Sequence, residues 1–300
     1  MRAVTIDRYG PPSVLKVTER DRPQPGPGEV LVRVAAAAVN PVDLAVRRGE
    51  IPSPVLPAVV GWDVSGTVVA AGPGADRFRE GDRVVAAYSP LGTGTGVTAE
   101  YVALDETLVA HAPTGVPLEH AAALPLAALT AEQALEQLAP GFSGRLLVVG
   151  AAGAVGGFLV QSAALRGWRP SGLARPGDAR TVAELGAAEM YSAIEALPAG
   201  AFDVVIDAAG SPRALAAVRD GGRYLSLTPF SVPEPERSIA VDVYGVRTDG
   251  TELDALARRV DEGRLTLRVA CVLPFEEAPK AHALLEEGGT RGKILLSPGS

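Results

Sequence analysis

The sequence predicts an α/β fold in two parts, a β-rich portion and a doubly wound parallel sheet. Three observations predict it. The stretch 146–157, LLVVGAAGAVGG, reads as a buried strand, a glycine-rich turn and the start of a helix. Strand-like and helix-like segments alternate from there to about residue 227. Residues 1–113 instead carry short apolar or alternating runs broken by Gly and Pro.

In chain order, AVTID (3–7), LKVTER (15–20), EVLVRVAAAAV (29–39) and VSGTVVAAG (64–72) have strand patterns. The segment 23–28, PQPGPG, is an extended connector, and 72–74 and 81–82 are tight turns. From about Pro117 the rhythm becomes helical over 118–138, interrupted at Pro125. Strand–helix pairs follow at 146–150 with 153–166, 169–174 with 178–186, and 202–208 with 212–219, and then a strand at 223–227. Past Asp249 come a helix at 252–262, an extended run at 265–275, a helix at 276–287 and a last strand in RGKILLSP.

Composition narrows the function classes. Three hundred residues are enough for two domains with separate cores. A net charge of −7 argues against nucleic acid, whose phosphates require a basic face. No apolar run reaches the length of a membrane span. The opening MRAVTIDRYG lacks the apolar core of a signal peptide, so a cytoplasmic location is expected. Cys271 is the single cysteine, which excludes an internal disulfide and a cysteine-rich zinc site. It sits in an apolar run and reads as core filler. His111, near a domain edge, His120, at a helix start, and His282, on an exposed helix, do not cluster in sequence and are expected in surface or packing roles.

The glycine-rich turn carries the chemistry. A strand, a glycine turn and a helix N-terminus present backbone N–H groups and a favourable dipole to a phosphodiester. The pattern is A-x-G-x-x-G, with Ala151 where the dinucleotide fingerprint has its first glycine. Gly153 would let a pyrophosphate approach the backbone, and Gly156 would let helix and strand pack closely. An acid that grips a ribose 2′-hydroxyl belongs at the end of the second strand. Here that strand ends in Ala174 and Arg175, with Arg180 beyond. Arginine suits a 2′-phosphate, so NADPH is expected rather than NADH. Asp178 reads as the cap of a helix beginning near Thr181.

Taken together, VNPVDLAVRRG (39–49), LPAVVGWDVSGTVVAAGPG (56–74), FREGDRVV (78–85), TAEYVAL (98–104), AAALPLAALTAEQAL (121–135), VVGAAGAVG (148–156), FDVVIDAAG (202–210) and RGKIL (291–295) carry a resemblance. The chain resembles the medium-chain dehydrogenase/reductase superfamily, in its zinc-independent quinone oxidoreductase and enoyl reductase branch. The resemblance implies a GroES-like β-rich catalytic domain from residues 1–113 and 248–300. It implies a Rossmann dinucleotide-binding domain from 114–247.

The same resemblance implies roles for single residues. Asn40 is similar to the asparagine beside the nicotinamide and the acceptor carbonyl, and Asp43 matches the acid of the N-P-x-D stretch; these two are the catalytic candidates. Asn40, Thr130, Ala152, Gly153, Ala154, Val155, Arg175, Ala209, Gly210, Leu227 and Thr228 are the cofactor candidates. Trp62 and Tyr88 are the candidate acceptor contacts. No metal is expected, because Asn40 stands near the position of a zinc-binding cysteine and Gly61-Trp62-Asp63 replaces Gly-His-Glu. Arg47 and Arg48 occupy the zone where some relatives place tyrosines.

The implied activity is an NADPH-dependent reduction of a quinone or an α,β-unsaturated carbonyl. Conjugation spreads the developing charge onto oxygen, so orientation, a dry site and a hydrogen bond suffice without a Lewis acid. An enoyl reductase of a biosynthetic pathway and a non-catalytic NADPH-binding protein are the alternatives. A homodimer is implied, with IAVDVYGV (239–246) as the strand that would pair across a two-fold axis.

Overall fold

The structure is a computed structural model that describes residues 1–51, 55–89, 91, 93–138 and 141–299. Its strands are β1 (Arg2–Ile6), β2 (Lys16–Glu19), β3 (Glu29–Ala38), β4 (Ala58–Val59), β5 (Asp63–Ala71), β6 (Arg83–Ala87), β7 (Tyr101–Asp105) and β8 (Val109–His111). They continue as β9 (Leu146–Val149), β10 (Ser171–Leu173), β11 (Glu189–Tyr191), β12 (Phe202–Asp207), β13 (Val218–Ser226), β14 (Ala240–Val243), β15 (Val269–Pro274) and β16 (Lys293–Ser297). The helices are α1 (Pro41–Arg48), α2 (Leu118–Ala121), α3 (Pro125–Glu136), α4 (Ala154–Leu165), α5 (Ala179–Glu184), α6 (Gly250–Asp261) and α7 (Ala278–Glu287). The chain divides into two compact units, Met1–Leu126 with Thr248–Ser300, and Ala127–Arg247.

The first unit is β-rich. One sheet has the order β2-β1-β4, and a larger one runs β15-β16-β3-β5-β6-β8 with β7 also paired to β3. In β3, Val30, Val32 and Val34 alternate onto one face and pack with Val64, Val68, Val84 and Val109. The register of β3 matters most for the site. Ala38 pairs with Asp63 on one side and with Leu295 on the other. Running β16 back antiparallel from Leu295 brings Lys293 beside Asn40, and Val39 N–H donates to Ile294 C=O at 2.9 Å.

The second unit is a six-stranded parallel sheet of order β11-β10-β9-β12-β13-β14. The order reverses between β9 and β12, the switch point where open α/β sheets bind ligands at the carboxyl ends of strands. Leu147, Val149, Phe202, Val205, Leu215 and Tyr224 form its core.

Several expected elements shift. The helix expected at 212–219 is a 3-10 segment, Pro212–Ala217, and β13 already begins at Val218. Burial of Ala214, Leu215 and Ala217 explains the helical look of a crossover too short for an α-helix. The strand expected at 169–174 is Ser171–Leu173. The helix α5 begins at Ala179, and the Asp178 side chain makes no cap hydrogen bond to it. His282, expected on an exposed helix face, is buried at 1% exposure. No helix among the described residues is long and apolar enough to cross a membrane.

Candidate functional site

In the second unit the glycine turn has the geometry its sequence implies. Gly150 follows β9 at φ 77°, a conformation that glycine adopts without strain. Gly150 N–H and Ala151 N–H donate to Leu173 C=O at 3.0 and 3.1 Å, tying the turn to the end of β10. A Cβ on Gly156 would lie 2.0 Å from Gly150 O, so only glycine lets α4 start this close to β9. A Cβ on Gly153 would meet the same oxygen at 3.1 Å. Ala151 is tolerated in place of the fingerprint's glycine because Gly172 lies beside it: a Cβ on Gly172 would meet Ala151 Cβ at 2.9 Å.

Gly153 is the N-cap of α4, and within the helix no carbonyl precedes Ala154, Val155 and Gly156 to accept their N–H groups. These donors and the helix dipole suit a pyrophosphate, and the cradle leaves no room for a side chain. The turn therefore fits a dinucleotide. Arg175 follows β10, is exposed, and has no ion-pair partner among the described residues. Arg180, by contrast, is held by Glu184 at 2.7 Å.

The carboxyl ends of β12 and β13 bring the other candidates together. Buried Asp207 accepts from Ala209 N–H at 2.9 Å, from Ser211 N–H at 2.6 Å and from Tyr224 O–H at 2.6 Å. Burial first, and then this bond to Asp207, push the Tyr224 phenol far up, so it stays a donor. Asp207 thus fixes the turn bearing Ala209 and Gly210, and Ala209 touches the Gly150 turn. Leu227 N–H donates to Asp207 C=O at 2.9 Å, and Ser226 Oγ donates to Thr228 C=O at 3.0 Å. Thr130 is half-buried on α3.

In the first unit Asn40 and Asp43 belong to a buried polar cluster whose other members are Asp63 and Lys293. Asn40 is the N-cap of α1, and its N–H donates to Asp43 Oδ2 at 2.8 Å, in a capping box whose other half runs from the Asp43 N–H to the Asn40 side chain. Asn40 Nδ2 donates to Asp63 Oδ2 at 2.9 Å and to Ala38 C=O at 3.2 Å. Lys293 Nζ donates to Asn40 Oδ1 and to Asp63 Oδ2, the latter at 2.7 Å. Asp63 Oδ1 accepts from Leu126 N–H at 2.7 Å, in the first turn of α3. Burial pushes Asp43 up to about 7, and Asp63 adds to the rise. The Asn40 N–H, Lys293 and the Gly61 N–H pull it the other way.

Trp62 is buried, and its indole N–H has no hydrogen-bond partner among the described residues. Its C=O accepts from Tyr88 N–H at 2.8 Å, so the two candidate acceptor contacts are neighbours. The Tyr88 hydroxyl lies 3.4 Å from Thr93 Oγ1 and 3.3 Å from Thr95 Oγ1, on a cavity of about 590 Å³. Arg47 is 1% exposed and pairs with Glu286 of α7, as does Arg48 at 2.8 Å, so both arginines are turned to a helix. Next to them, burial and then the charge of Arg47 hold His282 down to about 3, against the pull of Glu286.

Asp63, Lys293, Asp207 and Tyr224 are the residues that sequence reasoning left out. Their signal is a single charged or polar residue ending or interrupting an apolar strand, as in WDVSG, GKILL and VVIDAAG. Such a residue needs a buried partner.

Among the described residues no three His, Cys, Asp or Glu side chains gather. Asp63, the acid of the Gly-Trp-Asp stretch, is held by Lys293, Asn40 and Leu126 N–H.

Residues 26–114 match the family model of the alcohol dehydrogenase GroES-like domain, and residues 178–296 match that of zinc-binding dehydrogenases. An NADPH-dependent alkenal/one oxidoreductase of Arabidopsis thaliana is 32% identical, over 99% of this chain and 80% of its own length. A structure of the quinone oxidoreductase from Coxiella burnetii superposes with a TM-score of 0.91 at 26% identity, covering 100% of this chain and 99% of that one. A structure of an NAD-dependent alcohol dehydrogenase superposes with a TM-score of 0.88 at 34% identity, covering 100% of both chains.

Proposed function

The chain belongs to the medium-chain dehydrogenase/reductase superfamily, and from that premise we propose that it is an NADPH-dependent reductase of quinones or α,β-unsaturated carbonyls. The observation that carries this is the cradle at Gly150–Gly156, where a Cβ on Gly156 would fall 2.0 Å from Gly150 O. NADPH, when bound, supplies a hydride from its nicotinamide.

The residues of the chain bind and orient. The N–H groups of Ala154 and Val155, with the backbone at Ala152 and Gly153, hold the pyrophosphate. Arg175, exposed and without an ion-pair partner among the described residues, takes the 2′-phosphate. Ala209, Gly210, Leu227 and Thr228 line the carboxyl edge of the sheet, on a turn fixed by Asp207, and Thr130 adds a contact from α3. Asp43 holds the N-terminus of α1, and with it Asn40. Tyr88 and Trp62 belong to the acceptor side, where the Tyr88 hydroxyl is the donor on the cavity and Trp62 supplies an apolar wall.

The reading has no metal in it. Oxidation of an alcohol by NAD, the activity for which one structural neighbour is named, draws on a Lewis acid to polarise the alcohol. Asp63, the acid at that place, is engaged by Lys293, Asn40 and the Leu126 N–H. A conjugated acceptor does not require a Lewis acid. A homodimer through the exposed edge of β14 is part of the same reading.

The test is anaerobic oxidation of NADPH with a panel of quinones, enones and enoyl thioesters, paired with NADH. Turnover of quinones or enones with a preference for NADPH is the expected result. Turnover confined to enoyl thioesters would make it a biosynthetic enoyl reductase. Tight NADPH binding with no acceptor consumed would reduce it to a nucleotide-binding protein.

A further inference from the structure

The amino edge of the parallel sheet in the second unit borders a cavity of about 590 Å³. Arg145 precedes β9, Ser171 opens β10 and Glu189 is the first residue of β11, and all three line it. The glycine cradle begins at Gly150, past the other end of β9, roughly 13 Å along the strand. No residue of the cradle lines the cavity. Its volume lies in the range that holds a small organic ligand, about 300–1,000 Å³.

The walls carry excess positive charge in a chain whose net charge is −7. Arg145, Arg166 and Arg169 line the cavity with Glu189 as the single acid. Buried Glu132 takes Arg166 in two hydrogen bonds, at 2.5 and 3.2 Å, and Glu189 lies 3.5 Å from Arg145. Arg169 is exposed and has no ion-pair partner among the described residues. One guanidinium charge is therefore left over. Beside it, the N–H groups of Phe142, Ser143 and Gly144 meet no acceptor among the described residues. These donors by themselves suit any anion. The aromatic lining narrows the choice. Phe142 meets half-buried Trp168 with ring centroids 5.1 Å apart at 72°. Two rings at that angle form a corner, and a corner receives the face or edge of a third ring.

We propose that this cavity is a second ligand site, for a small aromatic anion whose carboxylate or phosphate meets Arg169 and the loop N–H groups while its ring lies against Trp168 and Phe142. The proposal goes beyond the NADPH reading and does not depend on it.

The probes are benzoate and phenyl phosphate, with inorganic phosphate and phenol as the separate halves. Each is titrated into the whole protein by calorimetry, alone and with saturating NADPH, and circular dichroism checks the fold of each variant. At least one of the two aromatic anions should saturate one site, at least tenfold more tightly than either half and equally well with NADPH present. Arg169→Ala should weaken that binding tenfold or more, the loss of a charge-assisted hydrogen bond. Trp168→Leu should weaken it several-fold. If that variant does not fold, Phe142→Leu takes its place. No saturation by either aromatic anion overturns the proposal, as does competition with NADPH. Inorganic phosphate bound as tightly as phenyl phosphate, or binding unmoved by Arg169→Ala, overturns it equally.

Discussion

Lys293 Nζ lies 2.7 Å from Asp63 Oδ2 across 230 residues of sequence, and the two side chains are 5% and 0% exposed. Neither charge has bulk solvent to fall back on. A buried pair of this kind adds little over an apolar substitute, but losing one member leaves the other charged and dry. Lys293→Met and Asp63→Asn should each lower the unfolding free energy by about 3–5 kcal/mol. The double variant should lose clearly less than their sum. Urea unfolding of the four proteins in the cycle measures this, and strict additivity would show that the two groups do not act as a pair.

The cradle of the glycine turn sets a ranking of substitutions. Gly156→Ala places its Cβ against backbone, 2.0 Å from Gly150 O and 2.7 Å from Gly150 C, so the turn must open. It should weaken NADPH binding more than Gly153→Ala, whose Cβ meets one oxygen at 3.1 Å. Gly172→Ala, crowded by Ala151 and Val182, should cost about 1–3 kcal/mol, partly recovered in the double variant with Ala151→Gly. Kd by fluorescence and midpoints of thermal unfolding supply the two readouts. A Gly156→Ala protein that binds NADPH normally would remove this turn from the cofactor site.

Arg175 separates the two nicotinamide cofactors. Arg175→Ala should raise Kd for NADPH roughly tenfold or more, the worth of a charge-assisted hydrogen bond, and leave Kd for NADH nearly unchanged. Equal loss for both cofactors would assign Arg175 to the pyrophosphate or to the fold.

His282 and Asp43 predict opposite pH trends in stability. The folded state holds His282 near 3 against an ordinary 6.5, so the unfolded chain binds more protons between those values. The stabilisation of wild type relative to His282→Leu should therefore fall as pH drops from about 6.5 toward 3. The slope should not exceed about 1.4 kcal/mol per pH unit. Asp43 runs the other way, from 3.8 to about 7, so the folded state binds the extra proton. Relative to Asp43→Asn, wild type should lose stability as pH rises from about 4 to 7. Denaturant midpoints across that range report both. A pH-independent difference in either comparison would mean that the group is hydrated in the folded protein.

The legible part of this molecule lay in its local patterns. The run LLVV, Gly150, Gly153 and Gly156 after it and the apolar face of α4 gave the nucleotide cradle, because each acts over a few residues of backbone. The break at Pro125 was equally plain, since proline cannot continue a helix. The segment 212–219 misled because its buried alanines and leucine imitate a helix face, while the short path into β13 leaves room only for a 3-10 turn. His282 misled because its helix shows one face to Arg47, and helical spacing alone does not say which face is covered.

By itself the sequence determined the two kinds of architecture, the glycine cradle, the arginine in place of an acid and the poverty of metal donors, all properties of residue type and short-range order. What Asn40 can do was decided only by the tertiary structure. The register of β3 against β5 and β16 brings Asp63 and Lys293 to its amide, Asp63 accepting from Nδ2 and Lys293 donating to Oδ1. Hydrogen-bonding capacity is a property of a side chain, but the part of it left for a ligand depends on neighbours that the chain supplies from hundreds of residues away.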